Sequence, residues 1–252
     1  MKQVAPRKPI EARWQWIEEA IKPDVIVLTE AAIPKAGLPR GWTANWTEGG
    51  VGPKRRWGTI IAARNVHILP VEGVRHLLRW HPVNFSWPAV GQVAEVVVDG
   101  RTWGTVIGLY GITMDLKGKS VGHGSVSVPR LLHEAAPFIK TSENVIVAGD
   151  FNLWPSHKPR ELDQLALVDL VEMTAASRPV LEGCKGCQMG AKCGHMWTHR
   201  NGNSPNAAVQ NLDYIFASRS VSAHVGSVIG GIRDFPDAWE FSDHAPIVVD
   251  ID

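Results

Sequence analysis

Residues 144–152 read NVIVAGDFN: an apolar, mostly β-branched run that stops at a glycine and ends in polar residues suited to a turn. Such a run predicts a strand covered on both faces. Asp150 and Asn152, read alone, are what any turn after a strand would carry. Working outward, the same arrangement recurs. DVIVLTE (24–30) is a second buried-type strand, and it ends in Glu30. NLDYIFAS (211–218) opens a strand at Asp213, and Asp243-His244 stands just before APIVVDI (245–251). WGTIIAAR (57–64) and VSAHVGSVIGG (221–231) also read as strands. In VAEVVVDGRTWGTVIGLYG (93–111), Asp99-Gly100 between two strand-like runs predicts a long hairpin. Ile10, Trp14, Ile17 and Ile21 recur at helical spacing behind Pro9, predicting a helix over 9–22 closed by Pro23. Further helices are expected at 128–140, despite Pro137, and around 160–173. Many strands and few helices suggest sheets packed face to face with helices outside.

The 252 residues suit one domain, expected to span 1–252, and the 44% hydrophobic and 20% charged residues exclude disordered, collagen-like and coiled-coil classes. No apolar run approaches the roughly 18 residues of a membrane helix, and the first residues lack a signal-peptide core. A cytoplasmic protein without a membrane partner is expected.

Acids placed at the ends of apolar strands can reach water or a metal. If those ends converge, Glu30, Asp150, Asp213 and Asp243 share a cleft with Asn152 and His244. Carboxylates that close repel, and a divalent cation relieves the repulsion. Oxygen-rich ligation favours Mg2+ or Mn2+ over zinc. A carboxylate beside His244 would fix its tautomer and raise its basicity.

The ordered set Glu30, Gly149-Asp150-Phe151-Asn152, Leu212-Asp213-Tyr214-Ile215 and Ser242-Asp243-His244 resembles the endonuclease/exonuclease/phosphatase superfamily over residues 9–251. The resemblance implies a four-layered α/β sandwich, two packed β-sheets with outer helices, and metal-dependent cleavage of phosphate esters by in-line attack of water. By the same resemblance Glu30 binds the catalytic Mg2+ or Mn2+ with Asp243 assisting, and His244 pairs with Asp213. Asp150 orients or deprotonates the water, and Asn152 holds it or a phosphate oxygen. Tyr110 stands where exonuclease III-like members carry a phosphate-contacting tyrosine. Two departures are expected to matter. Only MKQVAPRK precedes the first helix, so the family's usual first strand is expected to be lacking. Tyr110-Gly111-Ile112-Thr113 also replaces the Tyr-x-Pro-Asn of exonuclease III-like chains, so abasic-site repair is not implied.

All three cysteines fall in Cys184-x2-Cys187-x5-Cys193-x-His195, within a glycine-bearing insertion at 183–199. Three thiolates and an imidazole make a structural Zn2+ site the expected product, with His199 as a rival fourth ligand. Charge is uneven beneath the net +1. Residues 51–90 carry six Lys or Arg against one Glu, together with Trp57, Trp80 and Trp87, while 232–252 carry six acids against one Arg. Lys54, Arg55, Arg56 and Trp57 are therefore candidate contacts to nucleic acid, DNA being the expected partner. The function expected first is a nuclease acting on DNA. The alternatives are a phosphatase or phosphodiesterase for a small metabolite or lipid head group, and a catalytically weak nucleic-acid-binding module.

Overall fold

A computed structural model describes residues 8–47, 49, 57–113, 119–178, 195–202 and 207–252. In chain order, helix α1 (Ile10–Trp16) leads to β1 (Val25–Ala31), β2 (Thr43–Trp46), β3 (Gly58–Ala63), β4 (His67–Pro70), β5 (Gly73–His76), β6 (Arg79–Pro82), β7 (Gly91–Val98) and β8 (Arg101–Leu109). Helix α2 (Ser127–Thr141) crosses over to β9 (Val145–Asp150). It is followed by β10 (Val168–Asp169), β11 (His199–Asn201), β12 (Ala208–Gln210), β13 (Asp213–Ala217), β14 (Val225–Gly230) and β15 (Ile247–Ile251).

One sheet of six strands runs β10-β13-β9-β8-β7-β4, with β8 and β9 its parallel pair. A three-stranded sheet, β1-β3-β2, and the pair β14-β15 form the second layer. The two-residue alternation of strands distributes side chains between layers. From the large sheet, Ile107, Leu109, Val145, Val147, Tyr214 and Phe216 pack with Leu131, Leu132, Ala135 and Phe138 of α2. Their neighbours Val106 and Ile146 face the other way, onto Val25, Val27 and Ile61. β3 is wholly buried for the same reason: Ile61 and Ala63 meet the large sheet while Ile60 and Ala62 meet Trp14 and Ile17 of the N-terminal helix. The order is helix, sheet, sheet, helix, the four-layered sandwich that the sequence led us to expect.

The expected long hairpin is present. Asp99 and Gly100, at φ 49° and 74°, turn β7 into β8. Elsewhere local chemistry overrides periodicity. Past Trp16 the first helix widens into a π-helical turn (Ile17–Ile21), which Lys22 closes in a left-handed conformation. The expected helix at 160–173 breaks in two, with Ala166 at φ 53° and Val168 paired to Ala217. The Asp169 side chain then caps a new turn by accepting from Glu172 N at 2.9 Å. At 221–231 a helical turn (Arg219–Ser222) delays the strand to Val225.

Glycines fix the approach to the end of β9. Gly149 sits at φ 143°, where a Cβ would collide with the carbonyl of Leu109, and a Cβ at Gly111 or Gly124 would meet the carbonyl of Phe151. Gly149→Ala is expected to cost about 3 kcal/mol in chemical denaturation, combining backbone strain and overpacking. Gly37→Asn, at φ 91° with nothing within 4 Å, is the control and should cost under about 1 kcal/mol.

Candidate active site

Register places two acids face to face. Asp150 ends β9, Asp213 begins β13, and the two are direct antiparallel partners. Apolar residues force this pairing, because Val147 and Phe216 are paired three positions further along the ladder and share the core. Asp150 is 3% exposed. Its Oδ1 accepts from the amide of Asn152 at 2.8 Å, and its Oδ2 from the Asn152 side chain at 3.1 Å. Asn152 adopts φ 49°, and its Nδ2 also donates to Gly111 O at 2.9 Å. In this arrangement the Asn152 amide fixes the Asp150 carboxyl and ties it to the end of β8.

His244 lies between the two acids. Its Nδ1 is 2.9 Å from Asp213 Oδ2 and its Nε2 is 3.8 Å from Asp150 Oδ2. The ligand atoms of these three side chains all fall within 4.8 Å of one another. Burial, then the negative neighbours Asp213 and Glu30, push the Asp150 carboxyl up to about 8, against the pull of the His244 cation and the Asn152 amide. Burial alone would lower His244, but Asp213, Asp150 and Asp243 outweigh it and raise the imidazole to about 10. At neutral pH the trio thus holds an imidazolium and a protonated Asp150.

Glu30 ends the run of β1 at φ 48° and is exposed, with Oε1 accepting from Tyr110 Oη at 2.5 Å. Its charge reaches Asp150, so it belongs to the same end of the sandwich. Tyr110 thereby stands at the same end of the sandwich as Glu30. Trp57 stacks edge-on against it with centroids 5.3 Å apart. Asp243 adjoins His244, and its side chain is felt electrostatically by both His244 and His199. Lys54, Arg55 and Arg56 lie outside the described residues, as do Cys184, Cys187 and Cys193; His195 is described and half-buried.

Two positioning residues escaped the sequence reading. Thr198, fully buried, accepts the amides of Leu212 and Asp213 at its Oγ1, both at 3.2 Å, while its carbonyl accepts from Ala245 N at 2.7 Å. One residue therefore joins the start of β13 to the Asp243-His244 segment. His199 bridges His244 through the backbone and sets its ring 4.6 Å from that of His244. Its Nδ1 meets Gln210 Oε1 at 3.1 Å, and burial followed by the His244 cation lowers its proton affinity. The signal available was slight: a threonine before a histidine in a loop resembles many others.

The model of the Endonuclease/Exonuclease/phosphatase family matches residues 14–244. No curated protein matches the sequence significantly. Among solved structures, a 3' phosphatase from Neisseria bound to product DNA hairpin aligns over 96% of this chain and 94% of that one, at 16% identity and TM-score 0.62. An AP endonuclease from Archaeoglobus fulgidus gives the same four values. An AP endonuclease from Leishmania major covers 95% of this chain and 81% of its own at 14% identity, again with TM-score 0.62. Identities this low speak to fold alone, and the sandwich is common to all.

The electrostatics predict a pH dependence of stability. Both Asp150, moved from 3.8 to about 8, and His244, moved from 6.5 to about 10, bind their protons more tightly in the folded chain. Their contributions are complete below the unfolded values and are lost as pH rises through the folded ones. In chelating buffer, stability should therefore fall across pH 4 to 10, with the part between 4 and 6.5 belonging to Asp150. Comparing thermal midpoints across that first interval, Asp150→Asn should show a flatter decline than wild type.

Proposed function

Because the chain belongs to the endonuclease/exonuclease/phosphatase family and with it to the hydrolytic phosphoesterases, we propose that it is a divalent-metal-dependent nuclease cleaving DNA by in-line attack of water. The observation that carries the reading is His244 lodged between Asp213 and Asp150. The donor set fits Mg2+ or Mn2+: Glu30 and Asp243 offer hard carboxylate oxygens, and Glu30 acts electrostatically on Asp150, whose carboxyl burial above all raises to about 8. When bound there, the metal would neutralise charge developing on the phosphoryl oxygens.

The other roles fall to the protein. Asp213 holds the His244 imidazolium so that its Nε2 proton faces the side of Asp150, where it can stabilise a phosphoryl oxygen. Asp150, fixed by Asn152, orients the attacking water and receives its proton once ionised. Tyr110 holds Glu30 in place through its hydroxyl. The DNA substrate is supported by the basic, tryptophan-bearing segment at 51–90, and by the product DNA hairpin in the Neisseria 3' phosphatase structure.

Plasmid and single-stranded DNA should be cut in Mg2+ and spared in chelator, with His244→Ala and Asp150→Asn each lowering the rate about 10²- to 10⁴-fold. Hydrolysis of small phosphate esters without any cleavage of DNA would overturn the nuclease reading in favour of a metabolite phosphatase.

We also propose that Cys184, Cys187, Cys193 and His195 hold one structural zinc, on the strength of their spacing. Protein purified without chelator should contain about one zinc per chain by elemental analysis, falling towards zero in Cys187→Ser. Absence of zinc from the wild type would remove the proposal.

A further inference from the structure

β5 and β6 form a ribbon of their own, paired Gly73 to Pro82, Val74 to His81, Arg75 to Trp80 and His76 to Arg79. Its base is anchored, since Val74 packs against the core beneath α2. Its tip is the reverse. Leu77 and Leu78 make the turn at φ 47° and 64°, a conformation in which Asn-Gly is favoured and leucine is strained. They are 81% and 96% exposed, the two most exposed large hydrophobic residues described. Among the described residues, a tip that is both strained and wetted gains little from the fold.

The flanks show what kind of surface would meet it. Cross-strand partners point to the same face, so Arg75 and Trp80 stand together on the face opposite Val74, and Trp80 is 61% exposed. Arg79 is exposed beside the tip. From Gly73 to Phe85 the sequence contains no acid. An apolar point with arginines behind it and an indole alongside suits a polyanion that can be opened by a wedge.

We propose that the ribbon is a duplex-DNA wedge, in which Leu77 and Leu78 insert at a base step while Arg75 and Arg79 contact the flanking phosphates. This deepens the nuclease reading and rests on it for the substrate class. DNA grooves admit a two-stranded ribbon, and one or two apolar side chains are enough to unstack a base step and kink the helix. A bilayer asks for more: two leucines bury less hydrocarbon than a single acyl chain, which by itself gives only marginal membrane binding.

The test replaces the tip with the residues its backbone prefers. Leu77→Asn combined with Leu78→Gly keeps the turn, removes the wedge and should leave thermal stability unchanged or improved. In chelator, wild type should bind and bend a short duplex labelled at both ends with donor and acceptor fluorophores. The double variant should bind about tenfold more weakly and leave the duplex straight. Equal bending by the two proteins would overturn the proposal. So would leucine-dependent binding to phosphatidylserine vesicles by a wild type that does not bend DNA. Hydrolysis of bis(p-nitrophenyl) phosphate in Mg2+ should be the same in both proteins; its absence from both would count against the phosphoesterase reading while leaving the bending result intact.

Discussion

Two carboxyl groups of like charge are held directly opposite one another across the β9–β13 ladder, and much of the surrounding structure serves to make that tolerable. The strands cannot slip to separate them, because a shift of one residue would turn Val147, Tyr214 and Phe216 out of the core. Relief comes from charge and protonation instead. His244 enters between the acids, Asp150 retains a proton, and Asn152 donates two hydrogen bonds to what remains. Thr198 and the His199 bridge keep the last segment from drifting away from β13. Buried polar side chains elsewhere in this region, such as Asn211, spend their hydrogen bonds on the same connection, through Met196 N and Asp213 O.

The layers were legible in the sequence wherever burial on both faces demanded an unbroken apolar run, as in VIVAG and GTIIAA. The ends of those runs were legible too, since an acid at the rim of an apolar strand has few uses beyond chemistry or a turn. Pairing of His244 with Asp213 was implied by the family resemblance. Less visible were elements whose reason lies in tertiary contact. β2 and β4 are short edge strands recruited by β3 and β7, and β10 is two residues long, held by Val168 and Asp169 against β13. The helix expected at 160–173 yielded to the Asp169 cap and this small pairing, because a side chain that satisfies an amide competes with helix continuation.

Hydrogen-bond partners were harder to read than positions. Tyr110 and Asn152 direct their polar groups to a neighbouring side chain or carbonyl: Glu30 for one, Gly111 and Asp150 for the other. Sequence fixes which residues arrive at the strand ends, but hydrogen-bond partners depend on angstrom-scale placement by glycines such as Gly149 and Gly111. Trp57, a half-buried indole, likewise packs edge-on to Tyr110 and against the core.

The site also draws on nearly the whole length of the chain, from Glu30 in β1 to His244 before β15, and its central strands meet through the parallel β8–β9 crossover. This bears on synthesis. The acids leave the ribosome in the order Glu30, Asp150, Asp213, and the His244 imidazole follows them. No nascent chain short of residue 244 can pair that imidazole with Asp213, so the cluster is completed only after all three acids have emerged. A polypeptide interrupted before that point carries the acids without the imidazole that bridges them.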